Sequence, residues 1–184
     1  MFKIFKFNKV RSTNAVAINL IRNKKINKGI IVSQNQSKGR GTRGKLWVSL
    51  KGNLFFTIFF QLNPDRPKFY EFSIINPILI ISVIKKFYRK KNIYIKGPND
   101  ILIGKKKVCG ILQEIISYQK NSYLIIGIGI NLNSNPTIKE KLTTCIYHER
   151  KKLVDTKKFL KYLAKAYNNF FLDLKKYNFS IYKN

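Results

Sequence analysis

Acidic side chains are scarce in this chain. Its 184 residues include eight Asp and Glu against 37 Lys and Arg, which gives a formal net charge of +29. A strongly basic chain often binds nucleic acid or another anionic surface. The excess is spread along the whole sequence, however, and it accompanies many Asn, Ile, Phe and Tyr residues, whose codons are A/T-rich. We therefore favour mutational bias in an AT-rich genome, with lysines on solvated faces, although the charge still attracts acidic partners at low salt.

Cysteine, histidine and long apolar runs are also rare. Cys109 and Cys145 stand in no metal or redox spacing, so we interpret both as reduced thiols, with a disulfide as the alternative. His148 is the single histidine and receives no role. Residues 72–83, the longest apolar stretch, are too short and too interrupted to span a bilayer, and residues 1–7 lack the apolar core of a targeting signal. We expect a cytoplasmic protein without a membrane partner.

The apolar fraction of the chain, 45%, is sufficient for the core of one domain over residues 1–184. Apolar runs and alternation predict strands at residues 2–7, 29–32, 53–61, 93–96, 100–103, 108–118 and 123–130. A Ser12-Thr13 cap signal predicts a helix that follows it. Apolar spacing predicts a helix over residues 71–90 and a last helix that includes Leu160 and Leu174. Because strands, hairpins and helices are mixed, we predict an α+β fold with a mixed sheet covered by helices.

Residues 33–51 are polar and rich in glycine and basic residues, and they predict a long mobile loop. Glycines such as Gly41 let a backbone approach its ligand. Arg40 and Arg43 offer paired donors for phosphate, and Trp47 is suited to covering an aromatic base. Taken alone, such a loop fits RNA as well as it fits a nucleotide.

A second polar segment interrupts the later strands. Lys96 and Lys107 stand at the ends of a predicted hairpin, where they are expected to converge on one anion. Between them, Asn99 and Asp100 offer oxygen atoms to a substrate amine or to Mg²⁺. The alternative is a Pro-Asn-Asp turn with surface lysines.

A third segment, residues 127–131, reads Gly-Ile-Gly-Ile-Asn. The two glycines of this predicted strand leave room for a flat ligand. The segment lacks the rest of a dinucleotide-binding fingerprint, so a Rossmann fold is rejected.

The order and spacing of these segments resemble the catalytic domain of the biotin–protein ligases, also called biotin–[acetyl-CoA-carboxylase] ligases. The matching segments are Ser12-Thr13-Asn14, a Gln-x-x-Gly-Arg-Gly loop from Gln36, Pro98-Asn99-Asp100, a Lys-x-x-Gly-Ile-Leu-x-Glu run from Lys107, and Gly127-x-Gly129-x-Asn131. The resemblance covers about residues 1–175. It implies a biotin/lipoate ligase-like fold, related to class II aminoacyl-tRNA synthetases.

The chain departs from the family pattern at two positions. Thr42 stands where the family usually has the second loop arginine, and Gly97 replaces the usual tryptophan before Pro98. Lys45 replaces the last loop arginine, which keeps the charge but loses the planar fork. These departures bear on how the intermediate and the acceptor are held.

The resemblance implies an enzyme that makes biotinyl-5′-AMP from biotin and ATP and transfers biotin to a carrier lysine. Its implied catalytic residues are Lys107, Arg40, Lys96 and Asp100. Its implied biotin-binding residues are Ser12, Thr13, Asn14, Gln36, Arg40, Gly41, Thr42, Lys107 and Gly110. Its implied adenylate-binding residues are Arg40, Arg43, Trp47, Asn99, Gly127, Gly129 and Asn131. ATP, biotin and Mg²⁺ are the implied cofactors; Mg²⁺ accompanies ATP, and no metal ligand is assigned.

The implied partner is a biotin carboxyl carrier protein, which is usually acidic, and a homodimer is compatible with the sequence. We expect neither an N-terminal helix-turn-helix nor a C-terminal SH3-like domain, since only residues 177–184 follow the last helix. Three other interpretations stay open: a lipoate–protein ligase, a nucleic-acid-binding module, and an inactive ligase-like protein.

Overall fold

The computed structural model describes residues 1–63, 67–139 and 141–176. The predicted tail, residues 177–184, lies outside the described residues. Within the described ranges there are seven strands, β1 (Ile4–Val10), β2 (Lys28–Gln36), β3 (Leu54–Gln61), β4 (Ile93–Lys96), β5 (Asp100–Ile103), β6 (Lys106–Tyr118) and β7 (Asn121–Ile130). The α-helices are α1 (Thr13–Lys24), α2 (Phe72–Ile84), α3 (Ile146–Arg150) and α4 (Thr156–Leu172).

The strands form one seven-stranded sheet in the order β1-β2-β3-β7-β6-β5-β4. The β1–β2 pair is parallel and the other pairs are antiparallel. The central strands β3 and β7 read as nearly continuous apolar runs because both of their faces are covered. The prediction of an α+β fold with a mixed sheet and covering helices is confirmed.

The two faces of the sheet carry different layers. On one face, Phe56, Ile58 and Phe60 of β3 belong to the main core, together with buried side chains of α2 and α4. On the other face, Ala17 and Ile21 of α1 join a smaller cluster that includes Phe59. Alternation along β3 therefore sends odd-numbered side chains to the α1 face. None of the described helices combines the length and the apolar character that a bilayer crossing requires.

Three predicted boundaries are wrong. β1 spans Ile4–Val10 instead of residues 2–7, because its exposed polar end pairs with β2 through backbone hydrogen bonds. β2 continues to Gln36, so residues 33–36 belong to a strand instead of the predicted loop. α2 ends at Ile84 instead of continuing to residue 90, since the backbone N–H groups of Lys86 and Phe87 donate to carbonyls only three residues back, as in a tighter turn.

Candidate functional site

A cavity opens on the α1 face of the sheet, where the start of α1, the end of β2 and the middle of β6 and β7 meet. It is lined by Ser12, Thr13, Asn14, Gln36, Arg40, Gly41, Thr42, Trp47, Asn99, Lys107, Gly110, Ile111, Leu112, Gly127, Ile128 and Gly129. Most of the predicted site residues are thus brought together. Arg43, Lys96, Asp100 and Asn131 are not among the lining residues.

The first wall of the cavity is the start of α1. Ser12 occupies the N-cap position, but its side chain makes no capping hydrogen bond, so the predicted capping role is wrong. Instead, the Gln36 Oε1 atom accepts from the Thr13 backbone N–H at 2.8 Å and lies 3.1 Å from the Thr13 hydroxyl. Ser12 is buried and lines the cavity. Because its hydroxyl caps no helix, it is available to a ligand.

The floor is made of glycines on neighbouring strands. Gly110 of β6 is the register partner of Gly129 of β7, and the ring of Trp47 lies against both. A Cβ atom built on Gly110 would lie 2.6 Å from Cζ3 of Trp47, so a larger residue would displace the indole. Gly127 gives similar room to the side chain of Asn14. The space predicted over Gly127 and Gly129 is therefore filled, at Gly129 by the flat ring of Trp47 and at Gly127 by Asn14.

Trp47 leaves a cavity of only about 40 Å³. Its indole Nε1 is buried and has no hydrogen-bond partner among the described residues. Burying an N–H without an acceptor costs about 1–3 kcal/mol of free energy, so this placement of the indole ring is energetically unfavourable. The ring is well placed to be displaced by a ligand.

Lys107 brings a positive charge to the cavity. Its Nζ atom lies 2.6 Å from Oδ1 of Asp100 and 5.4 Å from the centroid of the Trp47 ring. The Asp100 oxygen makes no directed hydrogen bond within the described structure, so its contact with Lys107 is an ion pair. Asp100 thus touches a lining residue without lining the cavity itself.

Lys96 and Asn131 lie apart from this group. Lys96 is exposed at the end of the edge strand β4, where its register partner is Asp100. The structure therefore does not place the side chains of Lys96 and Lys107 in one cavity. Asn131 is buried, and its Nδ2 atom donates to the Thr144 carbonyl at 3.1 Å. Their implied roles in catalysis and adenylate binding stay predictions.

The loop after β2 supplies the other cations. Gly41 N donates to Lys45 O at 2.7 Å, and Trp47 N donates to Gly39 O at 2.9 Å, which folds the loop back on itself. Arg40 lines the cavity, whereas Arg43 has a left-handed backbone (φ 55°) and lines an adjoining one. The mobility of this loop stays a prediction.

A resident metal site is not evident in the described part of the chain. No group of three or more His, Cys, Asp or Glu side chains is arranged to hold an ion there. Asp100, which the sequence offered as an oxygen ligand, already faces Lys107. Asn99 donates to the Thr42 hydroxyl at 3.2 Å.

Neither cysteine contributes a reactive group. Cys109 and Cys145 are free and buried, and burial raises the pKa of both thiols. A raised pKa keeps the thiols protonated and unreactive at neutral pH.

Glu114 is the site residue whose role the sequence did not reveal. One of its carboxylate oxygens, Oε2, lies 2.6 Å from Nη2 of Arg40 and 2.7 Å from Nδ2 of Asn14. The signal was present: Gly110, Leu112 and Glu114 alternate along β6 and therefore share one face.

Comparisons with known proteins agree with this geometry. The family model described as "Biotin/lipoate A/B protein ligase family" matches residues 6–131. The bifunctional ligase/repressor BirA of Bacillus subtilis (strain 168) is 34% identical over 128 residues, which is 68% of this chain and 39% of that protein. The chain thus spans about two fifths of the length of that relative.

Two further relatives match most of the chain. The biotin–[acetyl-CoA-carboxylase] ligase of Paracoccus denitrificans is 27% identical over 180 residues, 94% of this chain and 75% of that protein. The structure of the Aquifex aeolicus biotin protein ligase in complex with biotin and ATP superposes with a TM-score of 0.80 at 27% identity, covering 97% of this chain and 74% of that one. The chain belongs to the biotin/lipoate A/B protein ligase family.

Proposed function

We propose that this chain is an ATP-dependent biotin–protein ligase that acts in the cytoplasm on a lysine of a biotin carboxyl carrier protein. The observation that carries the proposal is one cavity that combines the uncharged donors and acceptors of Ser12, Thr13 and Gln36 with the cations Arg40 and Lys107. Neutral polar groups suit the ureido ring of biotin, and cations suit a carboxylate and a phosphate. The relatives named for biotin ligation support this choice of substrate.

In the first half-reaction, a carboxylate oxygen of biotin attacks the α-phosphorus of ATP. The bond from that phosphorus to the bridging oxygen breaks, and pyrophosphate leaves with the electron pair. Both reactants are anions, so bringing them together requires nearby positive charge. Lys107 and Arg40 supply that charge, and Mg²⁺ enters as the counter-ion of ATP.

In the second half-reaction, the neutral amine of the carrier lysine attacks the carbonyl carbon of biotinyl-5′-AMP. The amide bond forms, the bond from the carbonyl carbon to the phosphate oxygen breaks as AMP leaves, and the proton of the amine passes to solvent. Asp100, in contact with Lys107, is the carboxylate that we place nearest to the incoming amine. The site must also exclude water, because hydrolysis of the mixed anhydride would waste the intermediate.

Trp47 must move when substrate enters, since its ring covers Gly110 and Gly129. It is the single tryptophan of the chain, so its fluorescence reports on this cavity alone. We expect titration with biotin and ATP to change the tryptophan emission. The Trp47→Phe variant is used only to assign the emission to Trp47, and it should show no tryptophan emission. Ligand binding that calorimetry detects without any change in emission would contradict the displacement of Trp47.

Mass detection of the intermediate tests the proposed function directly. The chain is incubated with ATP, Mg²⁺ and either biotin or lipoate, and we expect biotinyl-5′-AMP to form much faster than lipoyl-AMP. Calorimetry should give a biotin Kd that is micromolar or tighter, on the order of −8 kcal/mol. Selective formation of lipoyl-AMP would make the chain a lipoate ligase. Binding of biotin without any adenylate would make it an inactive member of the family.

The oligomeric state stays a prediction. The sequence is compatible with a homodimer, and sedimentation of the chain with and without biotin and ATP measures it.

A further inference from the structure

We propose that Glu114 is a positioning residue that couples binding of biotin to the placement of Arg40. The inference rests on the proposed function and extends it to a residue of β6 outside the implied biotin and adenylate contacts. The Oε2 atom of Glu114 is 2.6 Å from Arg40 Nη2 and 2.7 Å from Asn14 Nδ2. A single carboxylate oxygen thus joins Arg40, in the loop after β2, to Asn14 at the start of α1.

The network continues from Asn14 to Thr13 and Gln36, which are proposed to bind the ureido ring of biotin. Asn14 Oδ1 accepts from the Thr57 hydroxyl at 2.7 Å, and Thr57 lies 2.8 Å from the Thr13 hydroxyl. Thr13 in turn contacts Gln36 through its backbone N–H and its hydroxyl. Hydrogen-bonded side chains therefore connect Gln36 to Arg40 across β2, α1, β3, β6 and the loop.

Burial makes the inner part of this network sensitive to a ligand. Thr13, Asn14 and Thr57 are buried, so each polar atom depends on its few partners. A hydroxyl carries one hydrogen, so the Thr57 proton serves either Thr13 or Asn14. A ligand that engages Thr13 or Gln36 redistributes these hydrogen bonds, and Glu114 is the link through which the change reaches Arg40.

Glu114 is the acidic group that fixes the orientation of the Arg40 side chain among the neighbouring cations. The adjoining cavity is lined by five cationic residues, Arg11, Lys38, Arg40, Arg43 and Lys45, and by one carboxylate, Glu114. Without that carboxylate, the cations repel one another and nothing favours one orientation of Arg40. With Nη2 held by Glu114, the other N–H donors of the guanidinium are left for a phosphate.

The side chains of Arg40 and Glu114 are 42% and 25% exposed, so the ion pair is open to solvent and contributes little to global stability. Its removal should therefore affect coupling more than folding. This separates a positioning role from a structural one.

The first measurement is the affinity for a non-hydrolysable ATP analogue with and without saturating biotin. In the unchanged chain we expect biotin to tighten binding of the analogue about five-fold or more. In Glu114→Ala and Glu114→Gln this ratio should fall towards one while biotin still binds. Glu149→Gln is the control, since Glu149 is likewise a carboxylate that accepts from a side chain, the Thr144 hydroxyl at 2.7 Å, but lies away from the cavity. Glu149→Gln should keep the ratio of the unchanged chain.

The second measurement is tryptic cleavage after Arg40 and Arg43 without any ligand, together with the thermal unfolding midpoint. Glu114→Ala should speed cleavage several-fold at a nearly unchanged midpoint; if it does not fold, Glu114→Gln provides the comparison. An unchanged biotin-dependent ratio in the Glu114 variants overturns the proposal. If the unchanged chain binds no biotin, the proposed function fails, and equal ligand-free cleavage in all variants then overturns the role of Glu114 separately.

Discussion

Replacing Lys107 with alanine is expected to slow formation of biotinyl-5′-AMP by about 10²–10³-fold, the usual cost of removing one group that stabilises developing charge. The Lys107 ammonium lies in the cavity beside Trp47, where the biotin carboxylate and the α-phosphate are proposed to meet. Binding of ATP should weaken much less, because Arg40 remains. Single-turnover quench with mass detection measures the chemical step, and calorimetry measures the binding of ATP.

The neighbouring residue provides a matched control. Lys106 lies on the same strand and is exposed, so Lys106→Ala removes the same charge from outside the cavity. We expect its single-turnover rate to equal that of the unchanged chain. Lys107→Ala also leaves Asp100 without its ion-pair partner, so the thermal midpoint must be recorded alongside the rate. A Lys107→Ala variant that is folded and forms adenylate at a near-normal rate would remove Lys107 from the chemistry.

The sequence predicted the fold well where side chains pack. β3 and β7 are rich in β-branched and aromatic residues, and both were predicted to within a few residues because burial and strand propensity agree. The prediction failed at the end of β2, where Ser33 and Gln36 are polar. That segment is a strand because its backbone pairs with β1, whereas its last side chain, Gln36, lines the cavity instead of the core.

The end of α2 failed for a different reason. Apolar residues continue beyond Ile84, and Tyr88 is buried like a helical core residue. The backbone nevertheless leaves the α-helix, and the Tyr88 hydroxyl donates to Asn92 Oδ1 at 2.8 Å. Apolar periodicity indicates which side chains are buried, but it does not indicate the backbone hydrogen-bond pattern of the segment that holds them.

The site was predicted where motif and strand alternation coincide. Gly127 and Gly129 were expected to make room for a flat ligand, and the structure pairs Gly129 with Gly110 under the ring of Trp47. Glu114 ends the Lys-x-x-Gly-Ile-Leu-x-Glu run from Lys107, but the sequence assigned it no role. Its partners, Asn14 and Arg40, are 100 and 74 residues away in sequence, so only the fold brings the three together.

Five carboxylates among the described residues are engaged in local contacts. Asp100 and Glu114 form ion pairs, while Glu71, Glu149 and Asp155 accept hydrogen bonds from nearby backbone or hydroxyl groups. The chain carries a formal net charge of +29. Its field should therefore attract an acidic carrier from a distance, whether or not codon bias produced the lysines.

We expect transfer of biotin to an acidic carrier domain to slow at least about ten-fold when ionic strength rises from about 0.05 M to about 0.5 M. Electrostatic steering raises association rates by orders of magnitude at low salt. It is screened beyond roughly 8 Å at physiological salt. Formation of biotinyl-5′-AMP takes place inside a formed cavity and should change far less. The two half-reactions are therefore measured separately across one salt series, with the carrier kept well below saturation.

Hydroxylamine provides an acceptor that needs no docking. It attacks the same carbonyl of biotinyl-5′-AMP, gives the hydroxamate and releases AMP, so its rate reports the chemistry without carrier recognition. We expect this rate to be nearly flat over the salt series while transfer to the carrier falls. Matching the ionic strength with two different salts separates screening from binding of a specific ion. If carrier and hydroxylamine rates fall in parallel, the positive charge has no part in docking, and recognition of the carrier must then depend on short-range contacts around the mouth of the cavity.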